Sequence, residues 1–420
     1  MQTATQNSVG RIDAALPVSE ASPPRHIALG EVDLGGRERQ YVNDALDRRR
    51  LTPGMYVRQF EQGFARAHDC AHAIACNSGT SALHVALTAL KITHGWQEGD
   101  EVLVPAMTFI ATSNIVLYSG LVPRFVEVCP RSYNIDPAQI EAQITPRTRA
   151  IIPVHLFGLP CEMDAIEAVA RRHNLAILED SCQTVLARQR GRSVGSFGAA
   201  ACFSTYTAHT LVTGVGGLIT TNDAALALLC RSLVAHGRDT AYLSIDDDDG
   251  VSDNQLRDIV ARRFSFEHLG FSYRMSELEG ALGLAQLERG AAIVGARRRN
   301  AARLSELLEP FEQFLQLPTQ PEWSDHSFMM YPLVVRAPHS RDALVNYLER
   351  QGIETRYMFP LLSQPVYRRL FGNLEAQYPV AGELARRGFY IGCHQNLTGQ
   401  DLDYVADVFT SYFSGEGGVA

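Results

Sequence analysis

Between residues 73 and 223 short apolar, β-rich runs alternate with helical stretches. That alternation narrows the architecture to a mostly parallel sheet covered by helices on both faces. The β-like runs fall at 73–76, 101–105, 124–128, 150–154, 175–179, 200–204 and 217–221. After Gly79, Leu83, Leu87 and Leu90 recur at i, i+4 and i+7, which reads as a helix with one apolar stripe. Beyond Asp223 the texture turns mainly helical through 273–308, β character returns at 331–336, and helices are expected at 341–351 and 398–413. The expectation is an α/β protein with a large domain over 27–295 and a smaller C-terminal α+β domain over 296–420.

Composition excludes several classes of function. Charged residues make up 20% of the 420, and no apolar run approaches the ~20 residues of a spanning helix. The first 26 residues are rich in Ser, Ala, Pro and Gln without the apolar segment of a signal peptide, so they read as a flexible leader, with the cytoplasm as expected location. A net charge of −8 offers no basic footprint for nucleic acid. Cysteines 70, 76, 129, 161, 182, 202, 230 and 393 form no C-x-x-C pair and suit buried thiols better than disulfides or a metal site. The run Asp246 to Asp249 reads as a solvated loop. Among 38 basic residues there is a single lysine, Lys91.

Ligands of open parallel sheets bind beyond the carboxyl ends of the strands, and three segments stand there. Asn77-Ser78-Gly79-Thr80-Ser81 is a small-residue turn leading into a helix, suited either to phosphate or to simple capping. Glu179-Asp180-Ser181-Cys182-Gln183 closes an apolar strand with an acidic pair, suited to keeping a pyridine nitrogen protonated or, again, to capping. The third, Cys202-Phe203-Ser204-Thr205-Tyr206-Thr207-Ala208-His209, precedes Thr213-Gly214-Val215-Gly216-Gly217, whose glycines rule out a regular helix and place His209 on a loop.

Together these segments resemble the DegT/StrS-type sugar aminotransferases, which are fold type I PLP enzymes, from about Ile27 to Val408. The resemblance extends to Pro105-Ala106-Met107-Thr108-Phe109-Ile110-Ala111-Thr112, to Pro153-Val154-His155-Leu156-Phe157-Gly158, to Gly270-Phe271-Ser272-Tyr273-Arg274-Met275, and to Gln364-Pro365. It implies that Gly79, Thr80 and Ser204 hold the cofactor phosphate, Phe109 stacks on the ring, Asp180 meets the pyridine nitrogen and Gln183 the 3-hydroxyl. It also implies a homodimer, with Ser272 standing where an asparagine usually reaches the partner subunit's phosphate. Leu362 replaces a common histidine, whereas His394 keeps another.

The family's lysine falls at His209. That lysine holds PLP as an imine and shuttles a proton; imidazole can do only the second. Lys91 is expected in solvent, ~15 Å along its helix from the phosphate turn, and cannot substitute. The same replacement marks the 3-dehydratases of nucleotide-linked 4-keto-6-deoxy sugars. By resemblance, PLP and PMP are bound non-covalently, His209 is the acid/base, the substrate is a nucleotide sugar, and glutamate or a similar amino donor restores PMP. No C-x-C occurs, so no iron–sulfur cluster is expected. Gln183 is closer to the aminotransferases. Another lysine-free PLP reaction, or a catalytically silent homologue, are the alternatives.

Overall fold

A computed structural model describes residues 25–240, 243, 247 and 250–415. Nearly all of the expected leader, and all of the aspartate run except Asp247, lie outside them. The main sheet has seven strands: β1 (His72–Cys76), β2 (Glu101–Pro105), β3 (Val122–Val126), β4 (Thr148–Ile151), β5 (Ala176–Asp180), β6 (Ala200–Ser204) and β7 (Gly217–Thr221). Their order is β1-β7-β6-β5-β4-β2-β3. Only β7 runs against the others, pairing antiparallel with both β1 and β6. The reason is local, because residues 205–216 join β6 to β7 without the crossover helix that a parallel return needs.

Two expected strands shift. β3 begins at Val122 and β4 at Thr148, each two residues early. β3 is an edge strand, where the exposed Val122 and the ladder-breaking Pro123 are tolerated. Val128 and Val154, the ends of the expected runs, leave the ladder but stay buried through single bridges to Ile135 and Asp180. Apolar character marks burial, and here burial outlasts pairing.

The helix after the first turn, α1 (Gly79–His94), differs from expectation in being buried well beyond one stripe. Ala82, Val85, Ala86 and Ala89 are buried together with Leu83, Leu87 and Leu90. The helix lies between the sheet and two neighbours, α2 (Ile110–Tyr118) and α3 (Ala224–Val234), and its alanines allow the close approach. The expected helical stretch 273–308 is two helices, α4 (Glu277–Glu288) and α5 (Gly290–Leu308), and α5 crosses residues 295/296. A second, four-stranded antiparallel sheet is built from Leu315–Gln316, Tyr331–Val335, Gly388–Ile391 and Thr355–Tyr357. Arg341–Arg350 and Gly399–Phe413 pack on it around a separate core that includes Leu304, Leu333, Leu348, Phe389 and Phe409. No helix among the described residues is long and apolar enough to cross a membrane.

Candidate active site

The carboxyl ends of β1, β5 and β6 bring the three segments together. A Cβ added to Gly79 would lie 2.7 Å from the Ser204 Cβ and 2.8 Å from the Cys182 Sγ, so one atom's breadth separates all three. At the start of α1, the Ser78 hydroxyl caps by accepting from the Ser81 N–H at 3.0 Å. The N–H groups of Gly79 and Thr80 find no acceptor among the described residues, and they carry the positive end of the helix dipole. With the half-buried Ser204 hydroxyl opposite, they form a cradle for a dianion. Gly217 is needed for the same closure, since a Cβ there would run into the backbone of Ser78 and Gly79.

Successive residues of a strand face opposite ways, which separates the roles of the acidic pair at the end of β5. Glu179 is fully buried and accepts from the N–H groups of Gly195, Phe197 and Gly198 and from His155 Nε2. It pins a loop. Asp180 receives the Thr112 hydroxyl on Oδ2 at 2.7 Å and the Cys182 N–H on Oδ1 at 3.1 Å. Burial raises the pKa of Asp180, opposed by those hydrogen bonds, and a cationic nitrogen beside it would favour the ionised form. The Gln183 Oε1 accepts from the Phe157 N–H at 3.0 Å, so its amide NH2 is turned away and free to donate. Phe157 adopts φ of 57° to present that N–H, a left-handed conformation that costs a non-glycine residue about 1–3 kcal/mol.

His209 lies in the β6–β7 loop, half-buried. Its Nδ1 is 3.2 Å from the Ser204 carbonyl oxygen, an acceptor only, so Nδ1 carries the hydrogen and the Nε2 lone pair is free. Burial pushes its pKa down to about 4, partly offset by that hydrogen bond, and at neutral pH the ring is an unprotonated base. Lys91 is half-buried rather than in open solvent, because its Nζ donates to the Ser119 carbonyl at 2.7 Å. It sits in the last turn of α1, remote from the cradle at the first.

Phe109, the residue before α2, is 55% exposed at the end of β2 and meets Phe359 edge to face at 6.2 Å. Ser272 is not joined to this group by any hydrogen bond. It is exposed, accepts from Arg274 at 3.1 Å, and lies on a segment docked against the end of β1, where the Asn77 N–H donates to the Tyr273 carbonyl. Two residues of the site have no signal of their own in the sequence: Thr112, which reaches Asp180, and Cys182, which floors the cradle. A threonine four residues after Thr108 reads as ordinary helix, and only the fold sets it against β5.

These residues fit pyridoxal phosphate. The cradle could hold a dianion, the buried carboxylate a protonated ring nitrogen, and the amide of Gln183 a phenolic oxygen. The chain matches the DegT/DnrJ/EryC1/StrS aminotransferase family over residues 32–410. It is 38% identical over 383 residues to GDP-perosamine synthase of Caulobacter vibrioides, covering 90% of this chain and 96% of that protein. It is 34% identical over 382 residues to dTDP-4-dehydro-2,6-dideoxy-D-glucose 3-dehydratase of Saccharopolyspora spinosa, covering 86% and 81%. Among solved structures, the E. coli GDP-4-keto-6-deoxy-D-mannose-3-dehydratase with bound hydrated PLP superposes with a TM-score of 0.83, at 27% identity over 91% of this chain and 99% of that one.

Proposed function

The chain is an enzyme of the DegT/DnrJ/EryC1/StrS aminotransferase family, and within that family we propose that it is a PLP/PMP-dependent 3-dehydratase of a nucleotide-linked 4-keto-6-deoxy sugar. One observation carries this reading: an imidazole bonded through Nδ1 to the Ser204 carbonyl, with its Nε2 left for a substrate, stands in the β6–β7 loop beside the cradle, while the sole lysine is bonded to Ser119 in the last turn of α1. The solved E. coli 3-dehydratase, which holds hydrated PLP, supports a coenzyme held without a covalent link to the chain.

Bound PMP supplies an amine for the sugar's 4-keto carbon and an electron-accepting ring that makes proton removal and departure of the C3 hydroxyl feasible. The chain supplies position and proton traffic. Gly79, Thr80 and Ser204 anchor the phosphate, and Phe109 covers the ring face. Asp180 keeps the ring nitrogen protonated, and the Gln183 NH2 donates to the 3-oxygen. His209 receives a proton at Nε2 and returns it to the departing oxygen. Glutamate or a similar donor restores the amine, and Ser272, exposed on this subunit, serves the phosphate of a second copy in a homodimer.

Amino transfer to the keto sugar is the second reading, favoured by the likeness to GDP-perosamine synthase and by Gln183. Mass spectrometry after offering PMP-loaded protein a panel of nucleotide-linked 4-keto-6-deoxyhexoses separates the two. Loss of one oxygen supports dehydration, exchange of oxygen for an amine supports transfer, and unchanged substrate across the panel defeats both.

A further inference from the structure

We propose that Thr112, backed by Thr108, is a positioning residue that sets the charge of Asp180 and through it the protonation of the coenzyme's ring nitrogen. This rests on the assignment of Asp180 to that nitrogen. Both threonines are 1% exposed and Asp180 is 4% exposed, so water does not compete for these bonds. Besides the weak donor of the Cys182 thiol, the carboxylate has two stronger ones. The Cys182 N–H, 3.1 Å from Oδ1, is backbone and donates whatever the charge of Asp180. The Thr112 hydroxyl, 2.7 Å from Oδ2, can turn.

The Thr108 and Thr112 hydroxyl oxygens are 2.9 Å apart, and either can be the donor. A hydroxyl has one proton to give and two lone pairs to offer, so the pair has two arrangements. With Asp180 ionised, Thr108 donates to Thr112 and Thr112 donates to Asp180. With Asp180 protonated, its hydroxyl donates to Thr112, and Thr112 turns its proton to Thr108. Every oxygen keeps a partner in either state, but only the ionised one also places the Thr108 proton, so Asp180 can be neutral in the free protein and the threonine pair favours its ionisation when a cationic ring arrives. The other groups around Asp180 offer no comparable relay, the Cys182 thiol being a weak donor shared with the Cys202 carbonyl. The thiols of Cys161, Cys182 and Cys202 are pushed well up by burial and stay neutral near pH 7. The ring of His155 is held at both nitrogens, by the Cys161 N–H and by Glu179.

The test compares Thr112→Val, which keeps shape and removes the hydroxyl, with Thr112→Ser, which keeps the hydroxyl. Two quantities are read on the full-length protein: PMP affinity by fluorescence titration, and the nitrogen-15 resonance of bound ring-labelled PMP, which reports ring protonation. Thr112→Val is expected to weaken binding about tenfold or more, the loss of one hydrogen bond to a charged group, and to move the resonance toward the unprotonated position. Thr112→Ser restores both. Thr108→Val, which removes only the backing, shifts both in the same direction by less and decides the matter if Thr112→Val does not fold. An unshifted resonance in Thr112→Val, or in Thr108→Val where it stands in, overturns the proposal. Asp180→Asn distinguishes the two levels: if it too leaves the ring protonated, the Asp180 assignment itself is wrong.

Discussion

Glu179 and Asp180 are adjacent, both carboxylates and both buried, yet replacing each by its amide should have opposite consequences. Glu179 Oε1 accepts from the N–H groups of Phe197 at 2.8 Å and Gly198 at 2.9 Å, and Oε2 from Gly195 at 2.9 Å and His155 Nε2 at 3.2 Å. A carboxamide has one acceptor oxygen, so Glu179→Gln sets its NH2 against two donors whichever way it turns. His155 cannot relieve the clash by exchanging tautomers, because its Nδ1 already accepts from the Cys161 N–H. Two stranded buried donors at about 1–3 kcal/mol each cost about 2–6 kcal/mol. Asp180→Asn sets no donor against another, since its oxygen accepts from the Cys182 N–H and its NH2 donates to Thr112, whose proton turns to Thr108, and it replaces a carboxyl whose charged form burial disfavours. Stability should change by less than about 1 kcal/mol. Coenzyme binding should show the reverse order, falling about 10- to 100-fold in Asp180→Asn, which gives up a charge-assisted bond to the ring. Urea unfolding and PMP titration of the two variants measure both. Glu179→Gln unfolding at the wild-type midpoint, or Asp180→Asn losing several kcal/mol, would refute the division of labour within the pair.

Gly79→Ala puts a methyl within 2.8 Å of Ser204 and Cys182, so it should cost about 1–3 kcal/mol by overpacking and block the phosphate, seen as a lower melting temperature and loss of PMP binding. His209→Asn should retain PMP while product formation falls about 100-fold or more; an undiminished rate in a product assay would remove His209 from the chemistry. Borohydride treatment of the PLP-loaded wild type should leave the coenzyme extractable, and coenzyme mass fixed to the polypeptide would mean that a lysine is in reach. His68 is fully buried, its Nδ1 donating to the Phe64 carbonyl and its Nε2 accepting from the Leu186 N–H; burial holds its pKa at about 4 against the ordinary 6.5. Its folded pKa is depressed, so its contribution is complete above pH 6.5 and is lost as pH falls toward 4, by about 3 kcal/mol in all. His68→Gln should flatten the rise of urea stability between those pH values, and an unchanged slope would mean that His68 protonates as readily in the folded protein.

Much of the site is legible in the chain because its parts are local. A turn into a helix at Gly79, an acidic pair at a strand end and a glycine-flanked loop at His209 are each set by neighbours in sequence, and the absence of lysine from that loop is read directly. The strand alternation likewise locates the main sheet, since apolar runs of this length have few other uses. Where the readings drift, as at β3 and β4, the apolar residues are buried by packing beyond the last ladder bond.

The tertiary structure decides what depends on which atoms share a space. Nothing near Asp180 in sequence shows that its second donor is Thr112, or that Gly79 must lack a side chain because Ser204 and Cys182 press on it. The sequence presents Glu179 and Asp180 as one acidic pair, whereas the pleat of β5 turns one toward a loop and the other toward Thr112. The reason is geometric: periodicity fixes which face a residue takes, but its hydrogen-bond partners come from remote segments that only the folded sheet brings within 3 Å.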